Sequence, residues 1–154
     1  MTTIFAFSDI HEKTLPAYLK DIAEESDYVF FLGDGAARIG DLVLHKNFYG
    51  VAGNCDSLPL PPELTLEIEG VKILLTHGHS YGVKSDLLPL SLRAKELACK
   101  LAYFGHTHTA ETVEDDGVTL VNPGSLAHPL FGPPTYAYTV IQGGRAFTKL
   151  VPVV

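Results

Sequence analysis

Cysteine, tryptophan, methionine and basic residues are all scarce in this chain of 154 residues. Two cysteines, Cys55 and Cys99, cannot build the disulfide framework of a small secreted domain, and a reducing cytoplasm is the expected location. The run Met1–Phe7 has neither the basic n-region nor the cleavage pattern of a signal peptide. No apolar stretch approaches the roughly 18 residues a membrane span needs, so no membrane contact is expected. Eleven Lys and Arg stand against 18 Asp and Glu, for a net charge of −7. The basic residues are scattered, and two acidic clusters, Glu24-Glu25-Ser26-Asp27 and Glu114-Asp115-Asp116, read as solvated ends of elements. A molecule that grips duplex nucleic acid tightly needs a basic stripe, because phosphate neutralisation supplies most of the affinity. Small anionic substrates stay within reach, since bound cations can make a local field positive.

What is present is an apolar content of 46%, enough for one globular domain spanning residues 1–154. Thr2–Phe7 reads as a buried strand, followed by a helix over about Leu15–Glu25 with Thr14 as its N-cap and Pro16 in its first turn. Tyr28–Leu32 is a second strand, Ala37–His45 a short helix, and Phe48–Val51 a third strand. This β-α-β-α-β order predicts a parallel sheet. In the second half, three hairpins are expected around Glu69-Gly70, Glu114–Gly117 and Gln142–Gly144. A leucine-rich helix over Ser85–Leu97 and a strand over Leu101–Phe104 lie between them. The economical architecture is α/β (α+β): two sheets packed face to face, with helices outside. The leucines of Ser85–Leu97 exceed what one helix face needs, which leaves core packing and a homodimer interface both open.

The chemistry lies just past the strands. Asp9 and His11 occur in Ser8-Asp-Ile-His11, Asp34 in Gly33-Asp-Gly35, and Asn54 in Gly53-Asn-Cys-Asp56. His77 follows in Thr76-His-Gly-His79, then His106 and His108 in Gly105-His-Thr-His108. Each motif alone has an ordinary reading as a cap, a turn or a hydrogen-bonded histidine. Together they place five of the seven histidines, His11, His77, His79, His106 and His108, at strand ends, where ligands collect in open α/β sheets. His45 and His128 fall outside the motifs and need no special role. Asp34 suits a bridge, because two carboxylate oxygens can hold two cations about 3.5–4 Å apart. Mixed imidazole and oxygen ligands suit Mn²⁺, Fe, Zn²⁺ or Ni²⁺, and suit Ca²⁺ poorly.

The ordered set Asp-x-His, Gly-Asp, Gly-Asn, Thr-His-Gly-His and Gly-His-Thr-His resembles the calcineurin-like metallophosphoesterase superfamily. It is most similar to the small bacterial and archaeal phosphodiesterases of the YfcE type, which also carry an equivalent of Asn122-Pro-Gly-Ser125. The resemblance implies a two-sheet β-sandwich and a metal-dependent phosphodiesterase acting on small phosphodiesters. It implies two divalent ions per chain, Mn²⁺ favoured, with Ni²⁺, Fe, Zn²⁺ or Mg²⁺ as substitutes. Asp9, His11, Asp34 and His108 would surround one ion, and Asp34, Asn54, His77 and His106 the other. Asp34, Asn54 and His77 would carry catalysis by holding a water or hydroxide and positioning the phosphate, with Asn54 and His79 contacting substrate. Many relatives have histidine where this chain has Cys55, and a thiol with a pKa of about 8.5 is a poorer general acid than an imidazole at about 6.5. Asp56, which would orient that histidine, is expected to make a loop hydrogen bond or one that supports a ligand residue instead. Lys13, Arg38 and Lys84 are candidates for steering an anion, while the loop Phe131–Pro134 carries no assigned chemistry. The rival reading is a scaffold of the same fold, such as a retromer subunit, that has lost turnover; retention of all seven ligand positions argues against it.

Overall fold

Strand-forming runs rich in Phe, Val, Ile and Leu become ten strands in a computed structural model that describes all of Met1–Val154. In chain order they are β1 Thr2–Phe7, β2 Tyr28–Phe31, β3 Phe48–Gly50, β4 Glu63–Ile68, β5 Val71–Thr76 and β6 Leu101–Tyr103. Then follow β7 Glu111–Asp115, β8 Val118–Asn122, β9 Thr135–Gln142 and β10 Arg145–Pro152. Two helices, α1 Ala17–Glu25 and α2 Leu88–Glu96, complete the frame. One sheet has the order β10-β9-β1-β2-β3 and the other β4-β5-β6-β8-β7. Strands β1, β2 and β3 are mutually parallel, as are β5, β6 and β8.

Alternation along the strands sends one set of side chains inward. Ile4, Ala6, Phe30 and Leu32 from the first sheet meet Ile73, Leu75, Tyr103 and Val121 from the second. Burying each large apolar side chain contributes about 1.5–3 kcal/mol, so this interior is the main source of stability. The outer face of the first sheet, with Phe5, Phe7 and Phe31, is covered by Leu19 and Ala23 of α1. Leu74, Ala102 and Leu120 on the outer face of the second are covered by Leu90 and Ala94 of α2. The result is two sheets face to face with helices outside, as expected. No helix is long and apolar enough to cross a membrane.

Two local expectations need correction. Helix α1 begins at Ala17, with Pro16 as its N-cap at ψ 148° and no side-chain cap, so Thr14 does not serve. The proline ring fixes φ and lacks an N–H, which suits it to the boundary position. The helix expected over Ala37–His45 is two 3-10 turns, Ala36–Arg38 and Gly40–Leu44, with Gly40 at φ +72°. In the leucine-rich segment Leu90 is buried, and Leu87 and Leu97 pack against the same core, while Leu88 and Leu92 stay exposed. Core packing therefore accounts for part of that leucine content and not for all of it.

Candidate metal centre

Parallel strands of both sheets end along one edge, and the loops beyond them bring six of the seven expected ligands together. The loops are tied to one another through the backbone. Asp9 donates its N–H to the Gly33 carbonyl at 2.9 Å, His11 donates to Asp34 at 3.0 Å, and Gly105 donates to His77 at 3.0 Å. Asp9, His11, Asp34, His106 and His108 all sit at positive φ, between 46° and 71°. Such conformations cost about 1 kcal/mol or more at non-glycine residues and persist where the surroundings impose them. Neighbouring glycines make room: a Cβ on Gly33, itself at φ +108°, would meet His77 Nδ1 at 2.5 Å, and one on Gly53 would run into the Asp34 carboxylate.

Two triads emerge. Asp9, His11 and His108 place ligand atoms within 4.8 Å of one another, and so do Asp34, His77 and His106. They are closely joined: Asp9 Oδ1 lies 3.8 Å from the Nε2 of both His11 and His77 and 3.4 Å from that of His108. Asp34 Oδ2 lies 3.3 Å from His77 Nε2 and 4.0 Å from His11 Nε2. His77 donates from Nδ1 to the Leu32 carbonyl at 2.7 Å, and His108 from Nδ1 to the His128 carbonyl at 2.8 Å. A carbonyl can only accept, so each bond puts the proton on Nδ1 and leaves Nε2 facing the cluster as a ligand atom.

Two fully buried atoms in this cluster, Asp9 Oδ1 and His77 Nε2, have no hydrogen-bond partner. A buried unpaired carboxylate oxygen facing an unpaired imidazole nitrogen is costly unless a cation completes both. The donor set thus fits divalent metal ions, and Asp9, His11, His108, Asp34, His77 and His106 are the residues that would hold them.

The electrostatics of the chain's own groups follow from the same crowding. Burial pushes the Asp34 carboxyl up, but the His77 ring, the Cys55 amide and nearby imidazolium charge outweigh it, leaving its pKa far below the ordinary carboxylate value. Burial pushes His77 down, and Asp34 and Asp9 more than reverse that, so its pKa is raised. The Asp9 carboxylate raises His108. His106 goes the other way, lowered to about 4 by burial and by the charges of His77 and Lys84.

The chain matches the family model of the calcineurin-like phosphoesterase superfamily domain over residues 2–144. The chain belongs to the calcineurin-like phosphoesterase superfamily. Among its relatives is the probable metallophosphoesterase YsnB of Bacillus subtilis, 35% identical over 129 residues, which cover 82% of this chain and 76% of YsnB. The crystal structure of a predicted phosphoesterase from Streptococcus pneumoniae superposes with a TM-score of 0.85 at 25% identity, covering 98% of this chain and 89% of that one. Vps29 of Entamoeba histolytica, solved in complex with zinc, superposes at 0.79 with 23% identity over 97% of this chain and 98% of its own, a likeness of fold. The calcineurin-like fold therefore frames both the metal-ligand cluster and the rim around it.

The remaining expected residues lie at that rim. Asn54 is exposed, and its amide nitrogen points toward Cys55 Sγ at 3.7 Å. His79 is exposed beside the cluster, its ring centroid 5.5 Å from that of His77 and 6.1 Å from that of His106. Burial and then the His77 charge lower its pKa, which favours a neutral ring. Cys55 lies closer than expected: its Sγ comes within 4.8 Å of ligand atoms of His11 and Asp34, and its N–H donates to Asp34 Oδ1 at 2.9 Å. Asp56 bridges two loops: its carboxylate accepts the N–H of Gly53 in its own loop and those of Asp34, Gly35 and Ala36 in the other, at 2.8–2.9 Å.

His45 is structural, bonded to the Ser26 carbonyl and the Asn47 N–H. His128 was assigned no role from sequence, yet it orients His108 through its carbonyl, and its ring centroid lies 5.6 Å from that of His11. The signal that could have found it is Ser125, whose hydroxyl donates to the Asp9 carbonyl and accepts from the Ala127 and His128 N–H groups. Lys13 is held by the Ala127 carbonyl.

Proposed function

We propose that this phosphoesterase is a phosphodiesterase that hydrolyses small phosphodiesters with two divalent ions per chain, Mn²⁺ favoured, in a cytoplasmic setting. The observation that carries the reading is the pair of buried, unpartnered atoms, Asp9 Oδ1 and His77 Nε2, at the junction of two ligand triads. The chemistry two such ions supply is a lowered pKa for a shared water and neutralisation of the phosphate oxygens. The chain's own part is to hold and orient. Asp34 lies between the triads, close to His77 and His11, and is suited to bridging. His77 is locked by Leu32, and Asp56 fixes the Asp34 and Asn54 loops against each other through four backbone bonds. Asn54 and His79, exposed at the rim, would donate to phosphate oxygens, with the Asn54 carbonyl as a metal ligand.

A diester carries one negative charge at the reacting phosphate and a monoester up to two. The whole chain is at −7, so the lower charge of a diester is the better match. Both free cysteines accord with a reducing compartment. The scaffold reading has one feature in its favour, the exposed Leu88 and Leu92 on α2, which would equally serve a homodimer; a single monomeric species in sedimentation at high concentration would remove the homodimer.

The leaving group provides the test. Burial and then the Asp34 charge raise the Cys55 thiol pKa further, making it a weaker acid than a free thiol. Nitrophenyl diesters should therefore be cleaved much faster than alkyl diesters, and bis(p-nitrophenyl) phosphate faster than p-nitrophenyl phosphate. Cys55→His should narrow the gap between nitrophenyl and alkyl esters by about tenfold or more. An unchanged leaving-group dependence in the variant would remove the missing general acid from the account, and preference for the monoester would remove the diesterase reading.

A further inference from the structure

Two depressions open on either side of the ligand cluster. One, of about 380 Å³, is lined by His11, Gly35, Arg38, Cys55 and Leu58 among others. The second, of about 600 Å³, is lined by Lys84, His106, His108, His128 and Leu130 among others. The boundary between them is the pair His11 and His108, whose Nε2 atoms are 3.2 Å apart, so each depression reaches the centre. Each carries a single Lys or Arg, Arg38 in the first and Lys84 in the second, and both are exposed. The ion pairs made by lysine and arginine belong to Lys20, Arg93 and Lys95, and neither Arg38 nor Lys84 meets a carboxylate. The acids lining the first depression are engaged: Asp56 with four backbone N–H groups, Glu12 with His128 at 2.8 Å. Each depression also holds one large exposed apolar side chain, Leu58 at 46% and Leu130 at 63% exposure.

We propose that the substrate is a linear, oligonucleotide-like phosphodiester, with the reacting phosphate at the cluster, one nucleoside arm in each depression, and a further phosphate of each arm against Arg38 or Lys84. This rests on the phosphodiesterase reading above. The two ester oxygens of a linear diester diverge from phosphorus and lead to two separate arms, which two depressions can receive. A 3′,5′-cyclic mononucleotide carries both ester bonds on one ribose and occupies one depression only. Arg38 can clamp a phosphate through two N–H groups and Lys84 can act as a point charge, while Leu58 and Leu130 offer apolar surface to the nucleosides. Hydrolysis consumes one water: a new P–O bond forms as the bond to one arm breaks, and the proton passes to the released hydroxyl. The products are a terminal phosphate and an alcohol.

The experiment compares thymidine dinucleotides with no terminal phosphate, a 5′-phosphate, a 3′-phosphate, or both, using Mn²⁺-loaded protein for kcat/KM and metal-free protein for calorimetric binding. Each terminal phosphate is expected to raise kcat/KM about tenfold and to tighten binding, with a gain that shrinks as salt is added. Arg38→Ala should erase the gain from one end and Lys84→Ala the gain from the other. Lys46→Ala, before β3 at the opposite end of the strands, should erase neither. Four dinucleotides within twofold of one another, substitutions that erase both gains or none, or faster cleavage of a 3′,5′-cyclic mononucleotide would each overturn the proposal. Bis(p-nitrophenyl) phosphate in the same preparations separates the two levels. If it is cleaved and the terminal-phosphate preference is absent, only the substrate assignment falls; if no diester is cleaved, the phosphodiesterase reading falls with it.

Discussion

At the end of the sandwich away from the metal centre, Glu69-Gly70, Asp116-Gly117 and Gly143-Gly144 turn the three hairpins with both residues at positive φ. At the centre itself, Asp9, His11, Asp34, His106 and His108 adopt the same backbone region. The hairpin turns are local: two residues, at least one of them glycine, match the twist of the strands they join. The centre's turns are held from afar. Gly33 receives the Asp9 N–H, Asp9 Oδ2 receives the His106 N–H at 3.1 Å, and Asp56 receives the Asp34 N–H. Strain is inexpensive where the sequence chooses residues that tolerate it. It needs a network of remote bonds where the side chains are chosen for chemistry instead.

That contrast can be attacked from its costly side first. Asp56→Ala should strand four backbone N–H groups and lower unfolding stability by about 3 kcal/mol, or about 10 °C in Tm, measured by urea and thermal denaturation. A loss below about 1 kcal/mol would mean that water replaces the carboxylate and that the loop network matters little. Gly53→Ala comes next. A methyl group pressed against the Asp34 carboxylate should weaken metal binding about 100-fold, as displaced supporting groups do, while the hairpin end keeps its hydrogen-exchange protection. At the other end Glu69→Asn places a residue favoured for this turn at φ +47° and should stabilise by about 0.5 kcal/mol with metal binding unchanged. A measurable loss of metal from that variant would break the independence of the two ends.

The same distinction explains what could be read in the sequence. The hairpins, the parallel strands and the helix-covered sandwich were legible because their signals are local: alternation, two-residue turns, and Gly-Asp, Gly-Asn or Gly-His pairs after apolar runs. Six of the seven expected ligands converge because ordered strands end on one edge. The misses are of two kinds. Pro16 and Gly40 set boundaries that periodicity alone placed too early or ran through. The places of His128 and Cys55 depend on contacts between segments far apart in sequence, such as Ser125 with Asp9, which no local window contains.

The central claim is that two triads joined through Asp34 and Asp9 form one binuclear centre. Counting ions per chain after equilibration with Mn²⁺ and exhaustive dialysis, by elemental analysis alongside protein concentration, tests it most directly. Two ions are predicted for the wild-type protein, one each for His108→Ala and His106→Ala, and none retained by Asp34→Ala. One ion in the wild type, or two in both histidine variants, would contradict the account.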